Sequence, residues 1–303
     1  MENIVWNEQY NIGVEVVDNA HAKLFRIVNK LTKLLKDEQT ARHACEEGIK
    51  YLENYTMRHF SEEEAYMRSI HYQNYAWHKK IHDNFRDKTL VSLRRDLQLS
   101  QYSQTAVERF LAVMTGWLTG HIITEDLAIV GKNLSKKIYE PSSKLSIVAK
   151  AVNNAMVDVF QVEAKLVQTS YKGQNIGNSL YCRLTYDIDN DGKVQLLLGV
   201  EEQLVLKGVG RLMKYPPTKR DTFVNTVALQ IFEQLFRHMG KLFRSGSNCE
   251  ITSNDLLDKD AFRADFMQGY PCSLLFNTRV GYFIFCFRTW KERCCSHHDE
   301  SPG

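Results

Sequence analysis

The chain has 303 residues, of which 44% are hydrophobic and 25% charged, the proportions of a globular protein long enough for two domains of ordinary size. A formal charge of +3, with no basic stripe along any predicted helix, argues against a nucleic-acid partner. No stretch approaches the roughly 20 apolar residues of a membrane span, and residues 1–9 lack the apolar region of a secretory signal, so a cytoplasmic location is expected. The seven cysteines (Cys45, Cys182, Cys249, Cys272, Cys286, Cys294 and Cys295) are odd in number and scattered, which fits reduced thiols better than a disulfide framework.

Residues 1–17 read as an irregular arm whose Trp6, Ile12, Val14 and Val16 pack across a helical bundle, with Asp18 placed as a helix cap. From His21 the apolar residues Leu24, Phe25, Val28, Leu31, Leu34 and Leu35 recur at three and four, predicting a first helix that ends near Lys36. A second helix is predicted over about 40–67 with Ile49, Leu52, Tyr55, His59 and Glu63, and His71 and Asn74 mark the turn after it. A third over about 74–94 carries Trp77, His78, Ile81, His82 and Phe85, and a fourth over about 103–130 carries Val107, Phe110, Leu111, Met114, Leu118, His121 and Ile122. Short connections between long amphipathic segments make an up-down four-helix bundle.

Seven candidate ligands are distributed over those four helices: His21; His59 and Glu63; His78 and His82; His121 and Asp126. The first two pairs are i,i+4, which stacks both side chains on one helix face. His121 and Asp126 are five apart, so at about 100° per residue they diverge by roughly 140°, a wide jaw. A lone helical histidine is more often a hydrogen-bonded core residue than a ligand, and His43 and His71 are read that way. Burying five imidazoles and two carboxylates without a metal would instead leave several polar groups unsatisfied, at about 1–3 kcal/mol each. Imidazole with carboxylate oxygen suits iron, zinc, nickel or copper, and no cysteine joins the set, which argues against thiolate zinc or an iron–sulfur cluster. The number of ligands favours two metals.

The order His, then HxxxE, HxxxH and HxxxxD resembles the bacterial branch of the hemerythrin family. Trp6, Tyr10, Gly13, Asp18, His21, Leu24 and Phe25 match that family's opening motif, His59-Phe60-Ser61-Glu62-Glu63-Glu64 with Met67 its second, and Trp117-Leu118-Thr119-Gly120-His121-Ile122 with Asp126 its last. The resemblance covers residues 1 to about 133 and implies two iron ions with a bridging oxygen species. If Glu63 and Asp126 both bridge, as in the family, one iron has His78, His82 and His121 and is six-coordinate. The other has His21 and His59 and keeps one position for dioxygen. Trp117, Leu118 and Ile122 are placed to make the dioxygen pocket apolar. Ferritin-like di-iron oxidases use Glu-x-x-His motifs, which this sequence lacks, so reversible dioxygen binding is expected over oxygen activation.

Residues 131–144 lose the helical period and bring in Gly131 and Pro141. The division expected is a bundle at 1–133, a linker at 134–144, an α+β domain at 145–290 and a disordered tail at 291–303 that includes Cys294-Cys295-Ser296-His297-His298. Within the α+β domain a helix is predicted at about 145–161. Strands at 179–188 and 193–200 are joined by the turn Asn190-Asp191-Gly192. Helices at about 201–213 and 219–244, a polar loop, and strands near 271–277 and 280–288 complete it. A calcium loop on Asp187, Asp189 and Asp191 is rejected because its twelfth position is Leu198 instead of a glutamate.

This order resembles the CheX-like chemotaxis phosphatase family, whose long helix presents E-x-x-N to a phosphorylated receiver. Here the corresponding positions offer Gln230 with Glu233, or Glu233 with Phe236, so no catalytic residue is carried over. The expected function is an oxygen or redox sensor coupled to a C-terminal signalling or dimerisation domain. The alternatives are an oxygen or iron store, a di-iron oxidase or peroxidase, and a receiver phosphatase.

Overall fold

A computed structural model describes residues 4–6, 8–34, 41–132, 144–188, 192–213, 216–243 and 249–290. The predicted linker, up to Lys144, and the tail at 291–303 lie outside them, as do Asn190 and Asp191 of the predicted turn. The N-terminal half is the expected set of four helical rods. The first is α1 (Glu15–Leu34) and the second α2 (Ala41–Ser69). The third runs through α3 (Tyr75–Asn84), a π-helical turn (Phe85–Thr89) and α4 (Leu90–Leu99), and the fourth through α5 (Gln104–His121), a second π-helical turn (Ile122–Asp126) and α6 (Leu127–Ile129).

Two expectations are corrected here. Asp18 is no cap, because α1 begins at Glu15; its carboxylate instead accepts from the amides of Ile12 at 2.7 Å and Gly13 at 2.9 Å and ties the arm to the helix. The third rod continues beyond 94 because Leu90, Leu93 and Leu97 prolong its buried stripe.

The C-terminal half is α+β, as expected. After α7 (Lys144–Phe160) come β1 (Lys165–Gln168), β2 (Ser179–Ile188), β3 (Gly192–Glu201), α8 (Glu202–Gly210), α9 (Thr222–Phe243), β4 (Cys249–Leu257), α10 (Lys259–Met267), β5 (Cys272–Asn277) and β6 (Tyr282–Trp290). All strand pairings in the sheet, ordered β1-β5-β6-β3-β2-β4, are antiparallel. The region expected as a polar loop is β4 and α10. Its Ser253, Asn254 and Asp255 sit on an edge strand, where polar residues are tolerated, and Asp258 caps α10 by accepting from Ala261 N at 2.8 Å. Side chains alternate across the sheet: Leu180, Cys182, Leu184 and Tyr186 join the core on the α9 side, while Tyr181, Leu197, Ile284 and Cys286 pack beneath α10.

The two halves do not keep separate cores. One apolar cluster runs from Leu24, Phe60 and Trp117 in the bundle to Phe232, Leu235 and Phe285 around the sheet. The join is α5 against α9, and α5 is consequently buried almost all round, from Phe110 to His121. Gly116 and Gly120 permit the approach. A Cβ on Gly116 would lie 2.7 Å from Gln230 Cβ and 2.8 Å from the Val227 carbonyl oxygen, and one on Gly120 would lie 2.8 Å from Gln234 Cγ. A second join is made by the arm, where Val5 N donates to Leu212 O at 2.6 Å.

Alanine is the better helix former by about 1 kcal/mol, yet at Gly116 it meets backbone that cannot move aside. Gly116→Ala should therefore lower unfolding free energy by about 1–3 kcal/mol, read from denaturant midpoints.

Candidate metal centre

The four rods bring all seven predicted ligands to one interior point. His21, Glu63, His82, His121 and Asp126 are 0% exposed and His59 and His78 1%. One group of mutually close donor atoms comprises Glu63, His78, His82 and His121, and a second comprises His21, Glu63 and Asp126. His59 falls in neither group, but its Nε2 lies 3.8 Å from Glu63 Oε2 and its ring meets His21 edge-on at 4.5 Å. His43 and His71, read as core residues, are on the surface.

The i,i+4 pairs act as expected, with His59 and Glu63 sharing a face of α2 and His78 and His82 a face of α3. The jaw predicted for His121 and Asp126 is corrected. The helix opens into a π-turn between them, with Leu127 N bonding to Ile122 O five residues back. This wider turn carries Asp126 round beneath His121, whose Nε2 lies 3.1 Å from Asp126 Oδ1. The third rod has a matching π-turn just after His82, where Leu90 N bonds to Phe85 O.

The carboxylates stand between two sets of imidazoles. Asp126 turns Oδ1 toward His121 and His78, at 3.1 and 3.4 Å, and Oδ2 toward His21 at 3.3 Å. Glu63 Oε2 lies 3.4 Å from His82 Nε2 and 3.8 Å from both His59 and His78. His121 Nε2 is 3.0 Å from the Nε2 atoms of both His82 and His78. Each Asp126 oxygen thus faces a different group of histidines, the disposition that a carboxylate shared by two cations requires.

The unsatisfied atoms of this set fit a metal. Both ring nitrogens of His21 and His59, both oxygens of Glu63 and both of Asp126 are buried with no hydrogen-bond partner. Imidazole nitrogen with carboxylate oxygen is a donor set for iron-like cations, and no thiol lies among the donors.

Burial, with the His21 charge, pushes the His59 imidazole down to about 3, and burial lowers His121 as well. Burial also opposes a charge on His82, but the carboxylates of Glu63 and Glu64 beside its two ring nitrogens outweigh it and raise that imidazole to about 9. Burial would raise Asp126, yet His121 and His21 hold it at about 2, and His78 and His82 hold Glu63 well below the carboxylate range in the same way.

Trp117, Leu118 and Ile122, expected to make the dioxygen pocket apolar, are buried, as core residues of the bundle also are. Trp117 stacks on His121 at 4.5 Å and 11°, and on Phe85 at 3.9 Å, so it backs the three-histidine side. Near His21 the ring is that of Trp6, at 5.7 Å. On its far side Trp117 borders a cavity of about 350 Å³ between the two halves, which Gln230, Glu233, Arg237 and Asn254 also line. Glu233 is 6% exposed, with one oxygen taken by Arg237 at 2.8 Å and the other by Asn254 at 2.7 Å.

The fold and site together define a helical cation-binding bundle fused to an antiparallel sheet domain. Residues 12–132 match the profile of the hemerythrin HHE cation binding domain. The bacteriohemerythrin of Clostridium acetobutylicum is 33% identical over 124 residues, 40% of this chain and 95% of that protein. The myohemerythrin of Sipunculus nudus is 30% identical over 128 residues, 42% of this chain and 92% of that protein. The chain belongs to the hemerythrin family, whose members bind a non-haem di-iron centre and oxygen, and its buried cluster is suited to hold that metal. Among solved structures the chain is similar to a CheC-like superfamily protein from Shewanella sp. PV-4, with TM-score 0.36 and 13% identity over 48% of this chain and 99% of that one. It is also similar to the chemotaxis protein CheX of Vibrio vulnificus, with TM-score 0.35 and 10% identity over 50% of this chain and 100% of that one.

The shifted imidazoles set the pH response of the metal-free protein. Below pH about 6.5 the unfolded chain takes up a proton that His59 refuses down to about 3, so stability falls on acidification. His82 contributes stability below pH about 6.5 that is lost as pH rises through about 9. Thermal melts of metal-free protein should therefore peak near pH 6.5, the ordinary histidine value, and decline on both sides.

Proposed function

We propose that this protein is a sensor of dioxygen or redox state, in which His21, His59, Glu63, His78, His82, His121 and Asp126 hold two irons and the C-terminal domain reads their ligation. Residues 1–133, 134–144 and 145–290 are the sensing, linking and output segments. Dioxygen enters on the His21 and His59 side, and Leu118 and Ile122 keep the interior apolar.

One observation carries the coupling: each end of the ligand cluster touches a tryptophan whose own element grips the other half of the molecule. Trp117 stacks on His121, and its helix α5 packs glycine-close on α9. Trp6 lies 5.7 Å from His21, and the adjoining Val5 bonds to Leu212 just beyond α8. A shift of either histidine on ligand exchange therefore meets close-packed neighbours within one ring. The signal need not travel along the linker.

The phosphatase reading loses support from the same contact. Gln230, Glu233 and Gln234 are 5%, 6% and 1% exposed, so a receiver cannot reach them while α5 covers α9. Among the described residues no helix is long and apolar enough to cross a membrane. Cys45, Cys182, Cys272 and Cys286 are free thiols, which suits a reducing cytoplasm.

Elemental analysis should find two irons per chain, and admitting air should change the absorption spectrum reversibly. His121→Ala should lose one iron first. Hydrogen exchange in α9 and at 208–213 should differ between the deoxygenated and oxygenated protein. Reversible oxygenation with unchanged exchange there would favour oxygen storage over sensing.

A further inference from the structure

Three successive glutamates on α2 face in three directions. Glu63 points into the centre. Glu62, about 100° round the helix in one sense, turns to solvent and pairs with Arg58 at 2.7 Å. Glu64, about 100° round in the other, reaches toward the third rod, where its Oε1 lies 3.2 Å from His82 Nδ1. The Glu64 side chain is only 12% exposed, and its second oxygen lies 3.9 Å from Arg68 Nη1. Arg68 is itself held by donating to Tyr75 Oη at 2.6 Å.

His82 is singled out by this arrangement. Its other nitrogen, Nε2, faces the centre, 3.4 Å from Glu63 Oε2, and the Phe60 ring stacks on it at 3.9 Å and 5°. The Nδ1 atoms of His21, His59, His78 and His121 are buried with no hydrogen-bond partner.

We propose that Glu64 is a positioning residue for the metal centre: it accepts the His82 Nδ1–H, fixes the tautomer that leaves the Nε2 lone pair free, and makes His82 the most strongly donating of the five imidazoles. A carboxylate behind a ligating histidine raises its basicity and locks its orientation. The two cation positions are then electronically unequal, because only the group of His78, His82 and His121 contains a ligand backed in this way. The inference rests on the di-iron reading above and adds a residue outside the seven ligands.

The test compares wild-type protein with Glu64→Gln, Glu64→Ala and the control Glu62→Gln, each loaded with iron and challenged with a chelator. Glu64→Gln keeps the shape but removes the charge, and Glu64→Ala removes the acceptor. Both should lose one of the two irons about 10–100-fold faster than wild type, giving biphasic release, whereas Glu62→Gln should match wild type. Equal release rates in all four proteins, or equal acceleration by Glu62→Gln, would overturn the proposal. A second measurement needs no variant: in wild-type protein loaded with zinc, proton–nitrogen correlation spectra should show a hydrogen-bonded, downfield Nδ1–H on His82 that the other four histidine ligands lack. Its absence would also overturn the proposal. Failure of wild-type protein to bind two irons would instead refute the di-iron reading, and is told apart by metal analysis alone.

Discussion

Five imidazoles and two carboxylates are enclosed where water cannot solvate them and where only cations can satisfy them together. Asp126 has both oxygens buried without a hydrogen bond, and so does Glu63. Two carboxylates this close would repel strongly in a low-dielectric interior, and each buried charge costs several kcal/mol unless it is paired. Cations bound among these groups would turn that repulsion into attraction and give the Nε2 atoms that face the carboxylates a partner. The rest of the bundle follows from holding those groups in place: Phe60 and Trp117 lie flat on His82 and His121, and Phe25 packs against Trp6 on the side of His21.

The two π-turns belong to the same constraint. Each adds a residue to a helical turn close behind a ligand, one beginning three residues after His82 and the other at the residue after His121. In a regular α-helix Asp126 would point well away from His121; the wider turn brings its carboxylate between the two groups of histidines. Local helix geometry is thus subordinate to the position of one carboxylate, and the site lies where helical regularity is broken.

That subordination separates what could be read from the amino acids from what could not. His59 with Glu63 and His78 with His82 obey helical periodicity, so their shared faces were legible. The relation of His121 to Asp126 was not, because a π-turn leaves no reliable mark in residue type and spacing alone misplaced the pair. The four rods and most strands were legible from their apolar periods. The strand and helix at 249–267 were hidden, because an edge strand carrying Ser253, Asn254 and Asp255 has the composition of a loop. Burial of α5 on all sides did leave a trace. Ala112, Gly116 and Gly120 follow one another at intervals of four as a stripe of small residues on one face of α5, a pattern that a solvent-facing bundle helix has no need of.

The continuous core changes how the proposed output domain would be reached in this molecule. If the halves were joined only by a linker, two ligation states could bias the second half only through its tether. Here His121, Trp117 and α5 make a packed path to α9 through the close contacts at Gly116 and Gly120, and the arm provides a second path from His21 through Trp6 to Leu212. Close-packed interiors are stiff, so a ring displaced on one side of α5 must move its neighbours or be resisted by them. By linkage, that resistance acts in both directions. On the proposed sensor reading, a partner that alters the seating of α9 would also alter the affinity of the bundle for its ligand. The glycine pair is what gives α5 and α9 a shared backbone contact, and for that reason the proposed coupling between the two halves would depend on Gly116 and Gly120 as the fold does.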